Sequence, residues 1–129
     1  MRDQRKLLVA QRARELALAV YRLTAVFPPE ERYGLTAQMR RSAVSVGSNI
    51  AEGAGRSGDR EFLRFVHIAY GSASELAFQL TLAIDLGFTA EADCASTAGV
   101  IDQIQRMLNG LSKHLRSQPG NHGAIRSRR

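Results

Sequence analysis

Ser48-Asn49-Ile50-Ala51-Glu52-Gly53-Ala54-Gly55-Arg56-Ser57-Gly58 decides the fold. The glycines at 53, 55 and 58 spell G-x-G-x-x-G, the spacing of a dinucleotide-binding loop. That loop needs a strand before its first glycine and a βαβ unit around it. Here the preceding residues Met39, Ala43, Val46, Ile50 and Gly53 recur at four-three spacing, which is one face of a helix. The stretch therefore reads as a turn between two helices, and no dinucleotide or other cofactor is expected. The turn keeps some chemistry. It leads into a helix N-terminus, where free N–H groups favour anions, and Arg56 and Arg60 flank that point.

The same spacing recurs on both sides. Val9, Ala13, Leu16, Val20, Leu23 and Phe27 line one face before the turn. After it come Phe62, Val66, Ala69, Ala73, Leu76, Leu80 and Ala83, and then Cys94, Thr97, Ile101, Ile104, Leu108, Leu111 and Leu115. No window alternates as a strand does. Pro28-Pro29 stops the first helix. Leu35-Thr36 reads as a staple and N-cap for the second, and Gly87-Phe88-Thr89 as a C-cap glycine and an N-cap threonine. The three glycines are read as stopping the second helix and releasing the third. Helices are expected at about 4–27, 36–53, 59–86 and 89–116. Short connections make neighbours antiparallel, so the expected fold is an all-α, up-down-up-down four-helix bundle over residues 1–116. Residues 117–129, SQPGNHGAIRSRR, have no period and read as a basic, mobile tail.

The chain has 129 residues, enough for one modest core, and a net charge of +6. Residues 1–22 carry six Lys/Arg against two acids, residues 40–64 five against three, and residues 75–106 one against five. Only two of the eighteen cations are lysine. Arginine suits planar, bidentate contact with phosphate, so the charge points to an anionic partner, nucleic acid first; a solvated basic surface is the plain alternative. Arg12, Arg14, Arg40, Arg41, Arg56, Arg60 and Arg64 are the candidates for backbone contact. The lone Cys94 leaves no internal disulfide and, with no membrane-length apolar run or signal-like h-region, a cytoplasmic location is expected.

A polar series lies beside the apolar one: Gln38, Ser42, Ser45, Asn49 and Glu52, matched downstream by Ser72, Glu75 and Gln79. With the turn centred near Arg56, residue 45 is expected beside 67 and 38 beside 74. Glu52 then lies near Arg56 and Arg60, and Glu75 near Gln38 and Arg41. Glu52 at a helix C-terminus opposes the dipole and calls for an arginine partner. Asn49 inside a helix calls for a specific hydrogen bond. Two readings stay open: a satisfied seam within the bundle, or a subunit interface whose register Asn49, Glu52 and Glu75 fix.

Catalysis and metal binding are not expected. Glu52 and Glu75 have Gly55 and Phe78 three residues on, where a di-iron bundle needs histidine. His67, His114 and His122 show no ligand spacing, and Cys94 sits on a core stripe.

The run Leu35-Thr36-x-Gln38-x-Arg40-Arg41-Ser42-Ala43-x-Ser45-Val46-x-Ser48-Asn49-Ile50-Ala51-Glu52-Gly53 resembles the signature of the bacterial 23S rRNA intervening-sequence proteins. The resemblance continues through Glu61-Phe62, Gly71-Ser72-Ala73-Ser74-Glu75-Leu76, Asp85-Leu86-Gly87 and Met107-Leu108-x-Gly110-Leu111, and Gly47 departs from it. It implies a homopentamer of four-helix subunits in which the SNIAEG motif is structural. It also implies kinship with the accessory protein of diversity-generating retroelements, a basic pentameric barrel that binds nucleic acid and a reverse transcriptase. An oligomeric adaptor for another protein, with the acidic face of residues 85–102 meeting a basic partner or the arginines an acidic one, is the alternative function.

Overall fold

The structure is a computed structural model that describes residues 4–56 and 58–118. It contains α1 (Gln4–Thr24), a 3-10 turn (Pro29–Glu31), α2 (Leu35–Ala54), α3 (Asp59–Asp85) and α4 (Glu91–Arg116). Each helix packs on its chain neighbours, and α1 closes the ring against α4. This is the expected four-helix bundle. Of the expected tail, residues 119–129 lie outside the described residues.

The apolar stripes fill the core. Every residue named on them is buried except Leu23, which is partly buried. Thr24 is buried instead, at 2% exposure. Its hydroxyl donates to the Val20 carbonyl at 2.8 Å and accepts from Arg40 Nε at 2.8 Å. Outside the stripes Leu35, Thr36, Ser42, Phe65, Gln79 and Ser112 are also buried. Gln79 Oε1 has no hydrogen-bond partner.

Several ends differ from expectation. The first helix stops at Thr24, three residues before Phe27. The chain tightens there through Phe27 N–H to Thr24 O at 3.1 Å, because Pro28 bars Phe27 from continuing a helix. Thr36 does not cap α2. Gly34 holds that position, and Glu31 Oε1 reaches from the 3-10 turn to accept the Leu35 N–H at 2.9 Å. Thr89 does not cap α4, whose N-cap is Ala90; the Thr89 hydroxyl lies 3.5 Å from Cys94 Sγ instead. The end of α3 is as read. Gly87 has φ +78°, its N–H bonds to Ile84 O and the Phe88 N–H bonds to Ala83 O, both at 3.0 Å. This doubly bonded C-terminal turn aims Phe88 at Phe27, with ring centroids 5.7 Å apart.

The glycines of the opening stretch do three different jobs. Gly53 does not stop α2; it lies within its last turn and is buried. A Cβ there would sit 2.7 Å from Phe62 Cδ1 and 2.7 Å from Phe65 Cβ, so α3 approaches α2 too closely for any side chain. Gly55 follows α2 in an ordinary right-handed conformation, φ −83°. Gly58 has φ +95° and opens α3.

Gly47, in mid-α2, has no such reason to be glycine. A Cβ there would meet Ala13 Cβ at 3.5 Å, an ordinary contact. Gly47→Ala is therefore expected to stabilise the bundle by about 1 kcal/mol through helix propensity, read as a raised thermal midpoint. A lowered midpoint would mean that the α1–α2 contact is tighter than described.

Candidate nucleic-acid interface

The polar seam has a definite register. Ser45 Oγ lies 2.8 Å from Ser72 Oγ, and Asn49 Nδ2 donates to Ser45 O at 2.8 Å and to Ser45 Oγ at 3.0 Å. Asn49 thus makes its specific bond one turn back on its own helix. Residue 45 stands beside 72, not 67. The pairing centre therefore lies later than Arg56, and antiparallel side chains each lean toward their own N-terminus, which adds to the offset. One-for-one pairing then puts Gln79, not residue 74, level with Gln38. Ser45, Ser72 and Asn49 satisfy one another inside one chain. Gln38, Glu52 and Glu75 face outward, and Glu75 has no hydrogen bond or ion pair among the described residues.

Around the turn, Arg56 donates to Glu52 at 2.7 Å, which is the expected answer to the dipole conflict. Arg64 pairs with Glu61 at 3.0 Å. Both guanidinium groups lie over the ring of Phe65, at 5.5 Å and 4.6 Å. Arg60 is exposed and makes no ion pair among the described residues. Glu52, Asp59 and Glu61 therefore balance the three arginines of the turn in formal charge.

The excess of positive charge comes from the neighbouring helix ends. The N-terminus of α1 brings Arg5 and Lys6, and Lys6 Nζ lies 4.8 Å from the Phe62 ring. The C-terminus of α4 brings Lys113 and Arg116, joined to α3 through His67. All four helix ends meet here, and among the described residues the acids at this end are only Glu52, Asp59 and Glu61. The opposite end reverses the sign: Glu30, Glu31, Asp85, Glu91 and Asp93 stand against Arg22, Arg32 and Arg40. The bundle is charged along its axis, basic at the α2–α3 turn and acidic at the α3–α4 turn.

The other candidate arginines are dispersed. Arg40 is part-buried, and its guanidinium is tied to α1. Nε bonds to Thr24, Nη2 reaches the Tyr21 carbonyl at 3.4 Å, and the group lies 4.5 Å over the Tyr21 ring. There it answers the exposed carbonyls at the end of α1. Arg41 is exposed, but at about 1.5 Å per residue it lies roughly 20 Å from the basic end. Arg12 pairs with Glu15 at 3.1 Å. Arg14 is exposed on the opposite flank of α1. The structure thus brings together Arg56, Arg60 and Arg64. It adds Arg5, Lys6, Lys113 and Arg116, which the sequence reading did not single out as contact residues. Their signal was positional: each lies at the one end of a helix that antiparallel topology gathers with the α2–α3 turn.

Among the described residues no three His, Cys, Asp or Glu side chains gather as a metal site, and no helix is long and apolar enough to cross a membrane. Cys94 is a buried free thiol.

The chain is similar in fold to a crystal structure of a protein of unknown function from the S23 ribosomal protein family of Bacteroides thetaiotaomicron VPI-5482. The TM-score is 0.78 at 21% identity, covering 85% of this chain and 99% of that one. No curated protein matches the chain. Residues 5–110 match the model of the 23S rRNA-intervening sequence proteins, and the chain belongs to that family.

Proposed function

We propose that the chain is a non-enzymatic, self-associating helical bundle that binds the phosphate backbone of nucleic acid at its basic end. The observation that carries this reading is the gathering of Arg5, Lys6, Arg60, Lys113 and Arg116 around one end, with acids collected at the other. The exposed aromatic residues Tyr21, Tyr33 and Phe78 stand elsewhere, so phosphate contact without base preference is expected. The family's name, which refers to an insertion in ribosomal RNA, agrees with an RNA target.

Self-association accounts for two exposed apolar sets: Leu7, Leu18 and Tyr21 on α1, and Ile68 and Phe78 on α3 with Leu86 just past its end. A pentamer, as the resemblance implies, would gather five basic ends. A cytoplasmic setting suits the free thiol. The acidic end, with Leu86 54% exposed beside it, supports the second reading: an adaptor whose partner is a basic protein.

Binding of single-stranded RNA and duplex DNA across a salt series tests the proposal. Neutralising about four phosphates predicts a log–log slope near −3 for a single strand, a loss of roughly fiftyfold between 50 and 200 mM salt. Undetectable binding at 50 mM would turn the account to the adaptor.

A further inference from the structure

At the basic end, α3 and α4 part to leave a groove of about 390 Å³. Val66, Tyr70 and Leu108 form its apolar wall, and Gly71 leaves the α3 side open, with nothing within 4 Å of where a Cβ would stand. At its mouth three polar groups converge. Ser112 Oγ lies 3.3 Å from His67 Nε2, and Arg116 Nη2 lies 3.4 Å from the same nitrogen. Ser112 is buried at 4% exposure.

These bonds are unsatisfactory as they stand. A guanidinium can only donate, so Nε2 must accept from Arg116 with its single lone pair. The Ser112 hydroxyl aims at that same lone pair. Both distances are at the long limit for hydrogen bonds. No carboxylate among the described residues pairs with Arg116 or His67. An oxyanion in the mouth would resolve the conflict. Its oxygens would accept separately from Arg116, from Ser112 and from His67 Nε2–H, each a bond to an anion. The apolar wall beside the mouth suits something flat attached to that anion, and the volume falls within the range of about 300–1,000 Å³ usual for small-molecule sites.

We propose that this groove is a nucleoside-phosphate subsite: Arg116, His67 and Ser112 take one phosphate of a single strand, and the adjoining base lies against Tyr70. The inference rests on the nucleic-acid reading and gives it one defined contact.

Two probes separate the fates of the two readings. The first is a single-stranded RNA decamer, whose affinity is measured at 100 mM salt. Ser112→Ala, which removes no charge, is expected to weaken it about fivefold with the salt slope unchanged. Arg116→Gln is expected to weaken it about tenfold and to reduce the slope by about one. Arg106→Gln, a cation paired with Asp102 farther along α4, is expected to leave both unchanged. The second probe is adenosine monophosphate, followed by the imidazole resonances of His67 in the whole protein. Saturable shifts are expected, and Ser112→Ala should need about fivefold more nucleotide to reach the same shift. RNA binding equal to wild type in both Ser112→Ala and Arg116→Gln would overturn the subsite and leave the basic-end reading standing. Shifts of His67 by the mononucleotide without any RNA binding would uphold the subsite and overturn the wider reading. No shift and no binding would overturn both.

Discussion

Gly53→Leu is expected to destabilise the bundle by about 3 kcal/mol or more, lowering the thermal midpoint by roughly 10 °C. Even the Cβ of an alanine would stand 2.7 Å from Phe62 Cδ1 and from Phe65 Cβ. Phe62 is 2% exposed and has no room to yield, and Phe65 Cβ is fixed to its own backbone. The two helices must therefore move apart along the most extensive contact in the molecule. Gly53→Ala recovers up to about 1 kcal/mol of helix propensity and should fall between wild type and Gly53→Leu. Gly55→Ala is the control from the same motif. Its Cβ would meet only ordinary contacts, at 3.6 and 3.7 Å, in an unstrained conformation. Equal losses at 53 and 55 would show that the turn, not the helix approach, is what the glycines serve.

The fold was legible because its period is regular and its loops are short. Four apolar stripes and Gly87 were enough to place helices, core and topology. The ends were harder to read, since capping here is done at a distance. Glu31 satisfies α2 from the preceding turn, and Arg40 answers the end of α1 from α2. No local pattern around Thr36 or Thr89 carries that information. Glycine was ambiguous for the same reason: Gly53 looks like a stop signal, but its cause is a pair of phenylalanines on another helix. For the site, Arg56, Arg60 and Arg64 could be grouped from proximity along the chain. Their neutralisation by Glu52, Asp59 and Glu61, and the arrival of Arg116 beside His67, depend on which helix ends meet.

Reversing charge at the basic end is expected to have the largest functional effect. Arg60, Lys113 and Arg116 are exposed, and none has an ion pair among the described residues. Arg60→Glu/Lys113→Glu/Arg116→Glu replaces three cations by anions on different helices and leaves the core untouched. Surface changes of this kind cost little stability, so the helical spectrum and the mass in solution should remain those of wild type. At 50 mM salt the loss of phosphate neutralisation, with repulsion added, predicts at least about a hundredfold weaker binding. Arg41 provides the contrast. It is exposed too, but lies far from the basic end, so Arg41→Glu should cost only a fewfold.

The measurement that bears most directly on the account is the affinity of single-stranded RNA at 50 mM salt for wild type, the triple reversal and Arg41→Glu, side by side. Tight binding by wild type, near-wild-type binding by Arg41→Glu and collapse in the triple reversal with its fold intact are expected. A triple reversal that binds as wild type does, or a wild type that does not bind, would contradict it.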